Sequence, residues 1–170
     1  MIAAVEAERG DGLVGLYREH YRSLVRLATL LLGDIGAGEE VVQDAFVQLH
    51  RSWGRVEDDT RRVAYLRSIV MNGARSRARR RAMGRRLELV QDTLPTDSTE
   101  AAALRAEDRR AMLAALGRLP GRQRECLILR YYLDLSEAEV AATLGISVGS
   151  VKTHTHRGIA ALEHALEVKR

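Results

Sequence analysis

No stretch of this chain alternates apolar and polar residues for long; apolar positions return at intervals of three and four, which predicts helices and no sheet. The first stripe is Leu13, Leu16, Tyr17, Leu24, Leu27, Ala28 and Leu31, with Gly33 as its stop. In the second, Val42, Ala45, Phe46, Leu49 and Trp53 fall at i, i+3, i+4, i+7 and i+11, while Glu40, Gln43, Asp44 and Gln48 lie off the stripe. After a polar turn, GRVEDDTRR, a third stripe of Leu66, Ile69, Val70 and Gly73 fades into the basic run RSRARRRAMGRR. That helix starts in a core and ends as a basic arm.

Residues 84–107 break the rhythm. They hold Pro95 and five acids and keep no steady apolar period, the composition of a linker. As a random coil such a stretch spans about 27 Å, and fully extended about 80 Å. Beyond it, Met112, Leu113 and Leu116 close a helix, and Pro120 opens another that carries Leu127, Ile128 and Tyr131. The expected fold is all-α: two small helical domains, residues 1–83 and 108–170, joined by a flexible linker over residues 84–107.

The strongest local signal lies near the end. Ser136 and Glu139 form an S-x-x-E capping box, and Val140, Ala141 and Leu144 give the helix it starts a buried face. Gly145 supplies the turn, Ile146 plugs the angle, and Ser147 can cap the next helix, whose buried stripe is Val148, Val151, Ile159, Leu162 and Leu166. This is a helix-turn-helix, in which the small Ala141 and the turn Gly145 let two helices cross closely enough for the second to enter a major groove. Its outer side offers Ser150, Lys152, Thr153, His156 and Arg157, donors suited to base edges and phosphates. His154, His156 and His164 do not make a metal site, because i and i+2 diverge around a helix and no Cys or Asp shares the face.

Charge sharpens the picture. The net charge is only +4, yet 25 of the 27 basic residues are Arg, and eight of them fall between Arg67 and Arg86 with no acid among them. Guanidinium groups clustered on one helix suit phosphate binding. The single cysteine, Cys126, sits in an apolar helix as a buried thiol, compatible with a reducing compartment. The N-terminal MIAAVEAERGDG lacks a signal-peptide pattern, and no apolar run approaches the roughly 20 residues of a membrane helix, so a cytoplasmic protein without membrane insertion is expected. No carboxylate pair, metal cluster, activated nucleophile or Gly-rich phosphate loop points to an enzyme, and no cofactor is expected.

The segment LPGRQRECLILRYYLDLSEAEVAATLGISVGSVKTHTHRGIAAL resembles region four of the sigma-70 superfamily, in particular extracytoplasmic-function (ECF) sigma factors of the actinobacterial SigE-like group. Alone, it is also similar to the DNA-binding domain of LuxR-type regulators. LYREHYRSLVRLATLLLGD, AGEEVVQDAFVQLHRSW and AYLRSIVMNGARSRARRR decide between them, since they resemble sigma region two in the family's order and LuxR-type proteins have no such partner segment.

The resemblance implies a protein that binds core RNA polymerase and promoter DNA and directs transcription initiation, with an anti-sigma factor as a further partner. It places Glu40, Gln43 and Asp44 on the polymerase clamp helices; their i, i+3, i+4 spacing independently puts them on one face. It sets Asn72, Arg75, Ser76 and Arg79 against the opened downstream (minus ten) element, where an amide can bond a base edge and guanidiniums can hold phosphates. The upstream (minus thirty-five) element falls to Ser150, Lys152, Thr153, His156 and Arg157. The family's loop pocket for a flipped base corresponds to residues 58–63. Here EDDTRRVAY departs from the common pattern, with no aromatic before Tyr65, which implies weak melting power. Thr155 stands where many members carry Leu or Ile. The competing reading is a free-standing regulator that binds duplex DNA and never touches polymerase.

Overall fold

In the computed structural model, residues 2–56, 58–84 and 100–167 are described, and side chains from residue 10 onward within them except at residues 83–84 and 100–106. All regular structure among them is helical: α1 (Ile2–Leu32), α2 (Ile35–Ser52), α3 (Asp59–Gly84), α4 (Glu100–Arg118), α5 (Gly121–Leu127), α6 (Glu137–Leu144) and α7 (Val148–Glu167). The chain divides into two units, residues 1–88 and 89–170. Residues 85–99, which hold most of the expected linker together with Arg85 and Arg86, lie outside the described residues. The linker expectation is too long at its far end, because α4 already begins at Glu100. Ala and Glu dominate that start, and such residues form helix by propensity without the apolar period that marks an amphipathic one.

In the first unit α1, α2 and α3 pack around Leu27, Val42, Leu49, Leu66, Val70 and Met71, all essentially inaccessible. Each large apolar side chain so buried contributes about 1.5–3 kcal/mol. α1 starts eleven residues before the apolar stripe does, in the Ala- and Glu-rich opening, and stops where Gly33 turns left-handed at φ 70°. Tyr17, expected in the stripe, is 43% exposed and stacks on Tyr21 at 4.4 Å, while Val25 takes a core place instead. Gly38 lets α2 cross α1 closely: a Cβ there would stand 2.8 Å from Thr29 Oγ1 and 3.2 Å from the Val25 carbonyl. Asp34 caps α2 by accepting from Ala37 N at 2.8 Å.

α3 opens at Asp59, with Asp58 Oδ1 accepting from Arg61 N at 2.8 Å. Residues 59–63, expected as part of a loop pocket, are therefore the first turns of a helix. An acidic cap followed by an acid at the first position is a helix start, and it outweighed the polar look of the segment. Arg62 lies over the Trp53 ring at 4.1 Å, a cation on a π face.

In the second unit, Pro120 precedes α5, and the chain continues through one π-turn, where Leu133 N donates to the Ile128 carbonyl. The wider turn shifts the phase, so Tyr131, expected on the buried face, is 66% exposed, and Leu129 and Leu135 are buried. The capping box forms as read: Ser136 N donates to Glu139 Oε2 at 2.8 Å, and Glu139 N to Ser136 Oγ at 3.2 Å. Gly145 turns at φ 65°, the left-handed position that favours glycine, and Val140, Ala141, Leu144 and Val151 close the angle between α6 and α7. Val148, expected in the buried stripe, is exposed, because it is the first residue of α7 and lies outside the crossing.

Candidate nucleic-acid interface

On α7 the reading side is open. Lys152, Thr153, His156 and Arg157 are exposed and Ser150 is half-buried. Two of the hydroxyls are already engaged. Ser147, the cap, accepts from Ser150 N at 3.1 Å and shares a hydrogen bond with Ser150 Oγ at 2.9 Å. Thr153 Oγ1 donates to the Gly149 carbonyl at 3.0 Å, which leaves its lone pairs and methyl outward. Lys152 Nζ reaches Glu137 of α6 at 3.6 Å, so the ammonium is steered by the preceding helix. His156 and Arg157 complete a donor-rich edge on one side of a helix whose opposite side is bolted to a core. Such an edge can bond base acceptors and phosphates.

In the other unit α2 and α3 run side by side with an open cleft of about 380 Å³ between them. Asp44, Asn72 and Ser76 line it together, so residues expected to serve two different partners share one seam. Gln48, Tyr65 and Arg80 also line it. Nothing in the sequence period singled these out as a group, since the register between two helices is a tertiary fact. Glu40, Gln43 and Asp44 are all exposed, as are Asn72 and Arg79; Arg75 and Ser76 are half-buried.

The arginines of α3 are not equivalent. Arg77 turns back to Glu40 at 2.5 Å. One turn later Arg81 donates to Asp34 Oδ2 at 2.6 Å and to the Leu32 carbonyl at 3.1 Å, tying the end of α3 to the α1–α2 turn. The Ala37 amide and then the Arg81 guanidinium hold the Asp34 carboxyl below the usual carboxylate range. Arg75 Nη1 donates to Asn72 Oδ1 at 3.2 Å. Helical spacing thus splits the basic run into inward staples, Arg77 and Arg81, and the outward Arg79 and Arg80. Composition alone treats them as one patch.

Elsewhere the chemistry is quiet. Burial pushes the Cys126 thiol up to about 11, so it stays protonated and inert. Among the described residues no group of three His, Cys, Asp or Glu side chains is placed to hold a metal ion, and no helix is long and apolar enough to cross a membrane.

Comparison with known proteins adds an independent line. The family model of sigma-70 region 2 matches residues 16–83, and that of sigma-70 region 4 matches residues 109–162. The chain is 31% identical over 150 residues to an RNA polymerase sigma-E factor of Streptomyces avermitilis, covering 88% of this chain and 82% of that protein. It is 32% identical over 160 residues to the ECF RNA polymerase sigma factor SigL of Mycobacterium tuberculosis, with 89% and 87% covered. Among solved structures it is similar to CnrH in complex with the cytosolic domain of CnrY, at TM-score 0.71 and 25% identity over 96% of each chain. The fold also matches the sigma factor RpoE from Bartonella quintana, solved with the anti-sigma factor NepR, at TM-score 0.73 and 24% identity over 92% of this chain and 99% of that one.

Proposed function

The chain belongs to the ECF sigma factors of the sigma-70 superfamily, and from that premise we propose which of its residues carry each step. As a sigma factor it binds core RNA polymerase, directs it to promoters and supports initiation, with no covalent chemistry of its own. In this reading it works in the cytoplasm with the polymerase, and an anti-sigma protein is a further partner, as the family resemblance implies.

Glu40, Gln43 and Asp44 dock on the polymerase clamp. Asn72, Arg75, Ser76 and Arg79 meet the opened downstream strand, and Ser150, Lys152, Thr153, His156 and Arg157 read the upstream duplex. What carries the assignment is the shared seam: the exposed acid and amide face of α2 borders the donor-bearing face of α3 along one cleft. Polymerase seated on α2 therefore delivers its opened strand to α3 directly. Arg79 and Arg80 stand outward to take the backbone, whereas Arg77 and Arg81 hold the helix in place.

The test is binding of core polymerase by the triple variant Glu40→Gln, Gln43→Ala, Asp44→Asn. We expect affinity to fall roughly tenfold or more while helicity and duplex binding by α7 persist. Loss of the exposed Glu40–Arg77 pair by itself perturbs stability by less than about 1 kcal/mol. Parental affinity for core polymerase would remove the clamp assignment. Parental chain that binds duplex promoter DNA but never co-purifies with core polymerase would favour a free-standing regulator.

A further inference from the structure

Resting on the assignment of α3 to the opened strand, we infer that Arg75 is a positioning residue: it fixes the amide of Asn72 as a hydrogen-bond donor, so this position selects bases rich in acceptors. An Asn side chain is by itself an ambiguous reader. Its oxygen accepts, its nitrogen donates, and a half-turn about the last torsion exchanges them.

Arg75 removes the ambiguity. Its Nη1 stands 3.2 Å from Asn72 Oδ1, three residues along the same helix. A guanidinium carries donors only, so it is the amide oxygen that faces it, and the amide nitrogen is left for a ligand. Asn72 is exposed and lines the cleft, where a base displaced from its stack would meet it. In water the Arg75–Asn72 bond is weak. Under a bound strand, with water displaced, the same charge-assisted bond strengthens and holds the amide in one orientation.

Unpaired bases differ in what their pairing edges offer. Cytosine presents acceptors at N3 and O2 and thymine at O4 and O2, whereas adenine presents only N1 and guanine only O6. With its oxygen turned to Arg75 and its nitrogen toward the base, Asn72 therefore favours pyrimidines over purines at its position. With the amide turned over, its oxygen would welcome the adenine N6 amine, and thymine would lose its advantage.

The experiment assembles the full chain with core RNA polymerase and equilibrates it with fork-junction DNA whose unpaired strand carries random bases; bound strands are sequenced. Asn72→Ala locates the position, as the one whose base preference it flattens. There Arg75→Lys, whose ammonium likewise carries donors only, should retain the pyrimidine preference. Arg75→Glu offers acceptors only and should lower the thymine-to-adenine ratio by about fivefold or more. If Arg75→Glu binds too weakly to sequence, Arg75→Met, which has no donor, is read instead and should lose the preference that Arg75→Lys keeps. Equal ratios for the donor and non-donor variants would overturn the inference and leave Asn72 as reader. An Asn72→Ala profile identical to the parent would overturn the assignment of α3, and the inference with it.

Discussion

Thr155 hides its hydroxyl oxygen from solvent with no hydrogen-bond partner among the described residues. A buried hydroxyl left so costs roughly 1–3 kcal/mol, and Val has the same outline without the polar atom. Thr155→Val should therefore raise the melting temperature of its unit by roughly 4–8 °C for each kcal/mol recovered, with upstream DNA binding unchanged because the residue is not on the reading side. A lower melting temperature would mean that the hydroxyl is satisfied. The reverse situation holds at Asp34, whose carboxylate is bonded by Ala37 N and Arg81. Its folded pKa is depressed, so its stabilisation is fully present above the ordinary carboxylate pKa and is lost as pH falls through the folded value. Asp34→Asn should be less stable than the parent at neutral pH, and the gap should close in acid. A gap that stayed constant across pH would refute the charged pairing.

At the scale of elements, α1 and α2 approach closely at Gly38. Gly38→Ala drives a methyl against Thr29 and the Val25 carbonyl, and overpacking of this kind costs typically 1–3 kcal/mol; thermal melts of the full chain should show the first unit destabilised and the second unaffected. An unchanged first transition would show that α1 and α2 slide apart without cost. Where an amphipathic stripe met a clear cap or stop, elements were legible in the sequence: α2, α6 and the turn at Gly145 follow from the residues that cap and bury them. Three places were not. The opening of α1 and the start of α4 form through propensity rather than period, and the π-turn after α5 rotates Tyr131 outward in a way no 3.6-residue count anticipates. Of the site, the exposed faces were legible, because spacing along one helix decides them. The cleft, the Arg77–Glu40 staple and the Arg81–Asp34 staple join residues tens of positions apart, and only the packed structure brings these together. The Arg75–Asn72 bond lay within reach of the sequence, since i and i+3 are neighbours on a helix, but a basic run without acids points first to phosphates.

At the scale of the whole molecule, the two helices proposed to read DNA, α3 and α7, reside in separate units, each built on its own core. α7 presents a donor-rich edge shaped for a groove, and α3 presents an amide flanked by arginines, suited to a strand without its partner. In this assignment the two tasks are separable. Permanganate footprinting of the polymerase complex at a promoter selected by run-off transcription, read beside band shifts on the upstream duplex alone, measures both at once. Asn72→Ala should abolish or sharply reduce thymine reactivity at the downstream element while upstream duplex binding matches the parent. The pair Lys152→Ala and Arg157→Ala should weaken upstream binding, each lost base contact costing about 1–3 kcal/mol. Equal loss of upstream binding in Asn72→Ala would contradict the account, because the two helices would then not divide the work.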